Sequence, residues 1–116
     1  MKNQAFGARV GCAVNGVVAA LCTEKSFRAQ GLAALGVVPV LLLFRPQLIW
    51  WALVAIVVCL VLAAELLNTA LEHLADMVQP QPDPRIKFAK DCAAGAVLVL
   101  SVGAVVVGLL AIVSTM

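Results

Sequence analysis

Apolar residues in this chain come in long blocks: Gly31 to Phe44, Leu48 to Ala64, and Cys92 to Val113, the last broken only by Ser101 and glycines. A helix crossing the hydrocarbon core of a bilayer needs about 20 such residues, with a range of roughly 17–25. The third block meets that length alone and the second is just long enough. The first is completed by Phe27, the aliphatic stem of Arg28 and Ala29, with the guanidinium snorkelling to the interface. Pro39 inside it is tolerable because neighbouring helices can re-satisfy the freed carbonyl. Arg45-Pro46 leaves few residues between the first two blocks, which predicts a tight antiparallel hairpin turning at one membrane face. Trp50 and Trp51 follow it, where interfacial indoles are expected. The prolines of "QPQPDP", Gln79 to Pro84, end one helix and start another. Residues 5–22 mix small apolar side chains with Arg9, Asn15 and glycines, and read as an amphipathic helix too weakly apolar to span, lying on the membrane surface. The pattern predicts an all-α integral membrane protein, residues 1–116 as one domain, with spans at about 27–44, 47–78 and 85–114.

Composition agrees. The 116 residues are 64% hydrophobic and 12% charged, against roughly 45–50% apolar and about 25% charged in soluble domains. A net charge of +2, with no basic run interleaved with aromatics, argues against a nucleic-acid partner. Cys12, Cys22, Cys59 and Cys92 lack metal-ligand spacing and are expected to be small buried apolar residues. No basic stretch leads directly into an apolar core with a small-residue cleavage site, so no removable signal peptide is expected. Charge also orients the chain. Lys2, Arg9, Lys25 and Arg28 precede the first span, Arg85, Lys87 and Lys90 lie at the proline-rich loop, and only Arg45 lies at the opposite face. The positive-inside rule then places the N-terminus and that loop in the cytoplasm.

On this topology all six acidic residues fall at or near the cytoplasmic interface. Glu65, Asn68, Glu72 and Asp76 recur at i, i+3, i+7 and i+11 and form one stripe of a helix. Carboxylates near lipid are costly, about 2.5–3.5 kcal/mol at a helix centre on insertion scales, and are usually retained for pairing or function. The bland reading is ion pairing with Arg28, Lys87 and Lys90. The functional reading is an oxygen-rich site for Mg²⁺, which also engages phosphates, with lysines to receive phosphate charge. Glu24 and Arg28 stand at i and i+4, as do Lys87 and Asp91. Either pair alone is more often a surface salt bridge or a membrane anchor. His73, the single histidine, reads as an interface residue rather than a catalyst. The chain has no GxxxxGK[ST] loop, GxGxxG or HRD-type loop, so a kinase here belongs to an unusual class.

Three segments taken together, "TEKSFRAQ" (Thr23 to Gln30), "ELLNTALEHLAD" (Glu65 to Asp76) and "AKDCAAGAVLV" (Ala89 to Val99), resemble the prokaryotic diacylglycerol kinase family, which includes undecaprenol kinases. The resemblance covers essentially the whole chain. It implies a homotrimer in the bacterial cytoplasmic (inner) membrane, multi-pass, with active sites at the cytoplasmic interface shared between subunits. It implies ATP as co-substrate and Mg²⁺ as cofactor. Glu65 corresponds to the general base for the lipid hydroxyl, with Asn68 positioning it and Arg28 supporting the site. Glu24 and Glu72 correspond to metal-binding carboxylates that also meet the nucleotide. Lys90 corresponds to a phosphate contact and Asp91 to one on the adenosine side. The implied reaction is diacylglycerol to phosphatidic acid, with undecaprenol to undecaprenyl phosphate as the alternative, towards which "AKDCAAGAVLV" leans slightly. Asp83 departs from the family where many relatives have histidine, as does Gln30 where enterobacterial-type enzymes carry glutamate. From another class, a small transporter or accessory membrane subunit is expected to carry its charge near the bilayer midplane, whereas this stripe runs out into the loop.

Overall fold

The computed structural model describes residues 5–116, so Lys2 of the charge argument lies outside the described residues. Four helices follow in order: α1 (Phe6–Thr23), α2 (Lys25–Phe44), α3 (Leu48–Val78) and α4 (Pro84–Val113). There is no strand among the described residues. With no water to satisfy peptide groups in lipid, a chain this apolar must close its backbone hydrogen bonds within helices. That requirement overrides the modest helix propensity of the many valines. All four helices are long and apolar enough to cross a membrane. That includes α1, expected from its polar residues to be too weakly apolar, although it is the least apolar of the four.

Each break has a local cause. Glu24 is extended (φ −104°, ψ 110°) and separates α1 from α2. The α2–α3 turn lies at Arg45-Pro46 as expected. Arg45 adopts the left-handed conformation (φ 54°) and its N–H bonds back to Leu41, the helix-ending geometry that glycine more often supplies. Helix α2 runs unbroken through Pro39. At the proline-rich loop Asp83 caps α4: its carboxylate accepts from the Arg85 backbone N–H at 2.8 Å, with Pro84 in the first turn. This is the combination that helix starts favour.

The α3–α4 pair makes the most extensive contact, with α2 against both and α1 touching α2 and α3. Leu41, Val54 and Ala111 form a small buried cluster near the α2–α3 turn, with Trp50 and Trp51 partly buried against it. The indoles at this face therefore also pack inside the bundle. Most large apolar side chains face outward, as expected for a surface that meets lipid or another subunit. The four cysteines are also exposed. Their expected burial is not met within one chain, because they sit on outward faces of a bundle with little interior.

Asp83 supplies a pH test. The side-chain hydrogen bond from Arg85, and after it the Arg85 backbone N–H, hold its carboxyl below the usual aspartate range. The folded pKa is thus lower than the unfolded one, about 3.9. The cap's contribution is full above that value and disappears as pH falls through the lower folded value. In nonionic micelles, Asp83→Ala is expected to lower the thermal midpoint by a few degrees at pH 7. The gap to wild type narrows as pH falls below about 3.9 towards the lower folded value, and Asp83→Asn, which keeps an acceptor, loses less. Scans followed by tryptophan fluorescence at pH 7 and through the acid range check this.

Candidate functional site

The polar stripe lies on α3, and the structure brings Lys90 of α4 to its outer end and Glu24, between α1 and α2, to the neighbouring His73. Glu65 is buried at 6% exposure, in the most apolar stretch of the stripe. Its carboxylate makes no hydrogen bond or ion pair among the described residues. One turn on, Asn68 Nδ2 donates to Glu72 Oε1 at 3.2 Å. The Asn68 carbonyl oxygen is buried with no hydrogen-bond partner. A buried carboxylate and a buried amide oxygen without donors are costly to maintain, and both are acceptors.

Glu24 reaches the same region from the α1–α2 junction: its Oε1 lies 3.2 Å from His73 Nε2. This sets it beside the α3 turn that carries Glu72. The expected helical pairing of Glu24 with Arg28 is not formed, because the chain is extended at Glu24. Arg28 instead donates from one guanidinium nitrogen to the Leu21 and Cys22 carbonyls, each at 3.0 Å. Those are orphan acceptors at the end of α1. Arg28 is a clasp on the junction that holds Glu24. His73, expected only as an interface residue, supplies the α3 side of this contact. Its signal was adjacency to Glu72.

On α4, Lys90 Nζ meets Asp76 Oδ1 of α3 at 2.6 Å, the pairing that the bland reading foresaw. Asp76 is largely exposed, and exposed pairs contribute only about 0–1 kcal/mol, so Lys90 can exchange this partner for a phosphate at little cost. Asp91 turns to Lys87 at 2.6 Å on the exposed face of α4 and does not join the stripe. Asp76 and Lys90 line a recess of about 520 Å³ under the proline-rich loop, with Asp83 and Lys87 on its rim.

The donor set suits a hard divalent cation. No group of three His, Cys, Asp or Glu side chains converges among the described residues. Mg²⁺, however, commonly takes one or two carboxylates and completes its shell with water and substrate phosphates. Glu72 and the unpartnered Asn68 oxygen are oxygen donors of that kind, and Glu24 reaches the same helix at the neighbouring His73.

The model of the family described as prokaryotic diacylglycerol kinase matches residues 11–112. The chain is 42% identical over 94 residues to a diacylglycerol kinase of Synechocystis sp., an overlap of 80% of this chain and 54% of that protein. It is 38% identical over 88 residues to an undecaprenol kinase of Bacillus subtilis, covering 76% of this chain and 72% of that protein. The chain thus spans about half the length of the Synechocystis relative. A family match running from α1 almost to the end of α4, over the stripe, the Glu24 junction and the Lys90 turn, means that this chain belongs to the prokaryotic diacylglycerol kinase family.

Proposed function

We propose that this protein is a lipid kinase that transfers the γ-phosphoryl group of ATP to the hydroxyl of diacylglycerol, giving phosphatidic acid and ADP. The observation that carries the reading is Glu65: a buried carboxylate with no partner among the described residues, one helical turn from Asn68 and two from Glu72, both metal-type donors. Glu65 accepts the proton of the lipid hydroxyl as its oxygen bonds to the γ-phosphorus and the bond to the ADP oxygen breaks. Asn68 holds the acceptor end of the site, and Arg28 fixes the junction that presents Glu24. Glu24 and Glu72 are the residues to hold Mg²⁺, which when bound neutralises charge on the transferred group. Lys90 leaves Asp76 to meet a phosphate, and Asp91 leaves Lys87 to meet the adenosine side of the nucleotide. Phosphoryl transfer asks for positioning and charge stabilisation more than covalent chemistry, so the lack of a phosphate loop is no obstacle.

The same reading includes residues 1–116 as one domain, α1 on the cytoplasmic surface, and α2, α3 and α4 as the three spans of the bacterial inner membrane. It also includes a homotrimer with shared sites. In support, a Cβ added at Gly95 or Gly103 meets nothing within 4 Å inside one chain, so these small residues leave α4 surface open to close approach by a neighbour. Undecaprenol is the alternative acceptor. The Bacillus undecaprenol kinase is matched over 72% of its own length, and a hydroxyl at the membrane surface is common to both lipids.

Mixed-micelle assays with ATP, Mg²⁺ and each lipid test the proposal. Glu65→Gln is expected to lower kcat by at least about 100-fold, the scale of general-base catalysis. Its thermal midpoint should match or exceed wild type, since an unpartnered buried charge is removed. A fully active Glu65→Gln rejects the base assignment. Lys90→Met is expected to raise the KM for ATP about ten-fold or more while leaving the KM for lipid near wild type, and an unchanged ATP dependence removes Lys90 from the nucleotide site.

A further inference from the structure

Membrane-side of Glu65, α2, α3 and α4 stand apart and enclose a groove of about 320 Å³, within the size of small-molecule sites. Val61 and Leu62 line it. They stand four and three positions before Glu65 on the same helix, so the groove begins one turn from the carboxylate. Small side chains, Ala34 on α2 with Ala104 and Gly108 on α4, leave the space. Its lining is apolar except for two residues, Gln30 and Ser101.

These two face each other from α2 and α4, Gln30 Nε2 to Ser101 Oγ at 3.4 Å, at the long limit of a hydrogen bond. Hydroxyls in helices commonly bond back to a carbonyl of the preceding turn. Thr23, Ser114 and Thr115 do so here at 2.8, 2.6 and 2.7 Å. Ser101 makes no such bond, and neither its proton nor the second amide N–H of Gln30 has an acceptor among the described residues. Two spare donors therefore point into an apolar groove in the bilayer, where unsatisfied polar groups are expensive.

We propose that Gln30 and Ser101 are specificity residues that donate to an ester carbonyl of the acceptor lipid, so that the groove selects an acylated glycerol over a polyprenol. The inference rests on the lipid kinase reading and deepens it. Diacylglycerol carries ester carbonyls a few bonds from its free hydroxyl, in the direction of its chains. A lipid whose hydroxyl reaches Glu65 and whose chains run down the groove carries those acceptors past the pair. Undecaprenol offers only hydrocarbon there and leaves both donors unsatisfied, a penalty of the kind that separates substrates most sharply.

The test compares a 1,2-diacylglycerol, its 1,2-dialkyl ether analogue with the same chains and hydroxyl but no carbonyls, and undecaprenol. Wild type is expected to favour the ester over the ether about five-fold in kcat/KM, the worth of one neutral hydrogen bond. In Gln30→Leu/Ser101→Ala that preference collapses to parity, and activity on undecaprenol is unchanged or higher. Equal use of ester and ether by wild type overturns the proposal with the protein itself, independent of how the variant folds, and leaves the kinase reading standing. An equal fall on all three lipids in the variant also overturns it, reducing the pair to helix packing. A wild type that phosphorylates none of the three while remaining folded overturns both readings.

Discussion

Helix α3 is too long for the membrane it enters. Its 31 residues extend about 46 Å at 1.5 Å per residue, whereas the hydrocarbon core is about 30 Å thick. The excess must project, and a projecting turn need not be apolar. Counted from Leu48, about 20 residues of lipid-compatible sequence end close to Asn68. Glu65 therefore lies at the boundary, and Glu72 and Asp76 lie beyond it in water. The stripe grades from a buried, unpartnered carboxylate to exposed, paired ones as the surroundings grade from apolar to aqueous. A hydroxyl confined to the lipid surface and a nucleotide confined to water can be reached together only across that boundary.

The interactions around the stripe divide by cost. The Lys90–Asp76 and Lys87–Asp91 pairs are exposed and weak, so they hold side chains near useful positions without locking them. Glu24 is held differently, through backbone. Arg28 grips the end of α1, Glu24 takes the extended link between helices, and His73 meets its carboxylate from α3. A side chain on a helix interior would have been fixed by its own turn, whereas the link between two helices is fixed by both. Glu65 carries the real penalty, and in a chain with so few buried residues such a penalty persists where function repays it.

Helix number, both turns and the stripe were legible because lipid makes backbone satisfaction compulsory and apolar length decisive. Helix ends fell within a few residues of the bounds expected, with prolines at the α2–α3 and α3–α4 breaks and none at Glu24. What the sequence hid lay in contacts between segments. The i, i+4 spacing of Glu24 and Arg28 presumes a continuous helix, and the extended conformation at Glu24 breaks it. Arg45 in a left-handed conformation carries no glycine signal. His73 looked solitary because its partner stands far back along the chain, across the α1–α2 junction. Ser101 registered only as an interruption of an apolar run, since a missing back-bond has no sequence mark. The cysteines misled for a related reason: burial habits of soluble proteins do not carry over to a thin bundle.

The small interior has a position as well as a size. Leu41, Val54 and Ala111 close the bundle beside the Arg45-Pro46 turn, where α2 and α3 are joined by only a few residues and cannot separate. Val37, Val54 and Val58 belong both to this packed region and to the groove wall, so the groove opens where tight packing stops. From there towards the stripe, Ala34 of α2 and Ala104 and Gly108 of α4 line the groove, and the polar bridge between the two helices among the described residues is the long Gln30–Ser101 contact. The α2–α3 end of the bundle is thus held by covalent connection and packing, whereas at the carboxylate end the proline-rich loop and the Lys90–Asp76 pair tie α3 to α4 and α2 meets α4 through Gln30 and Ser101. On the proposed function a lipid reaches the groove sideways from the bilayer, and the long Gln30–Ser101 contact is the polar interaction it meets there.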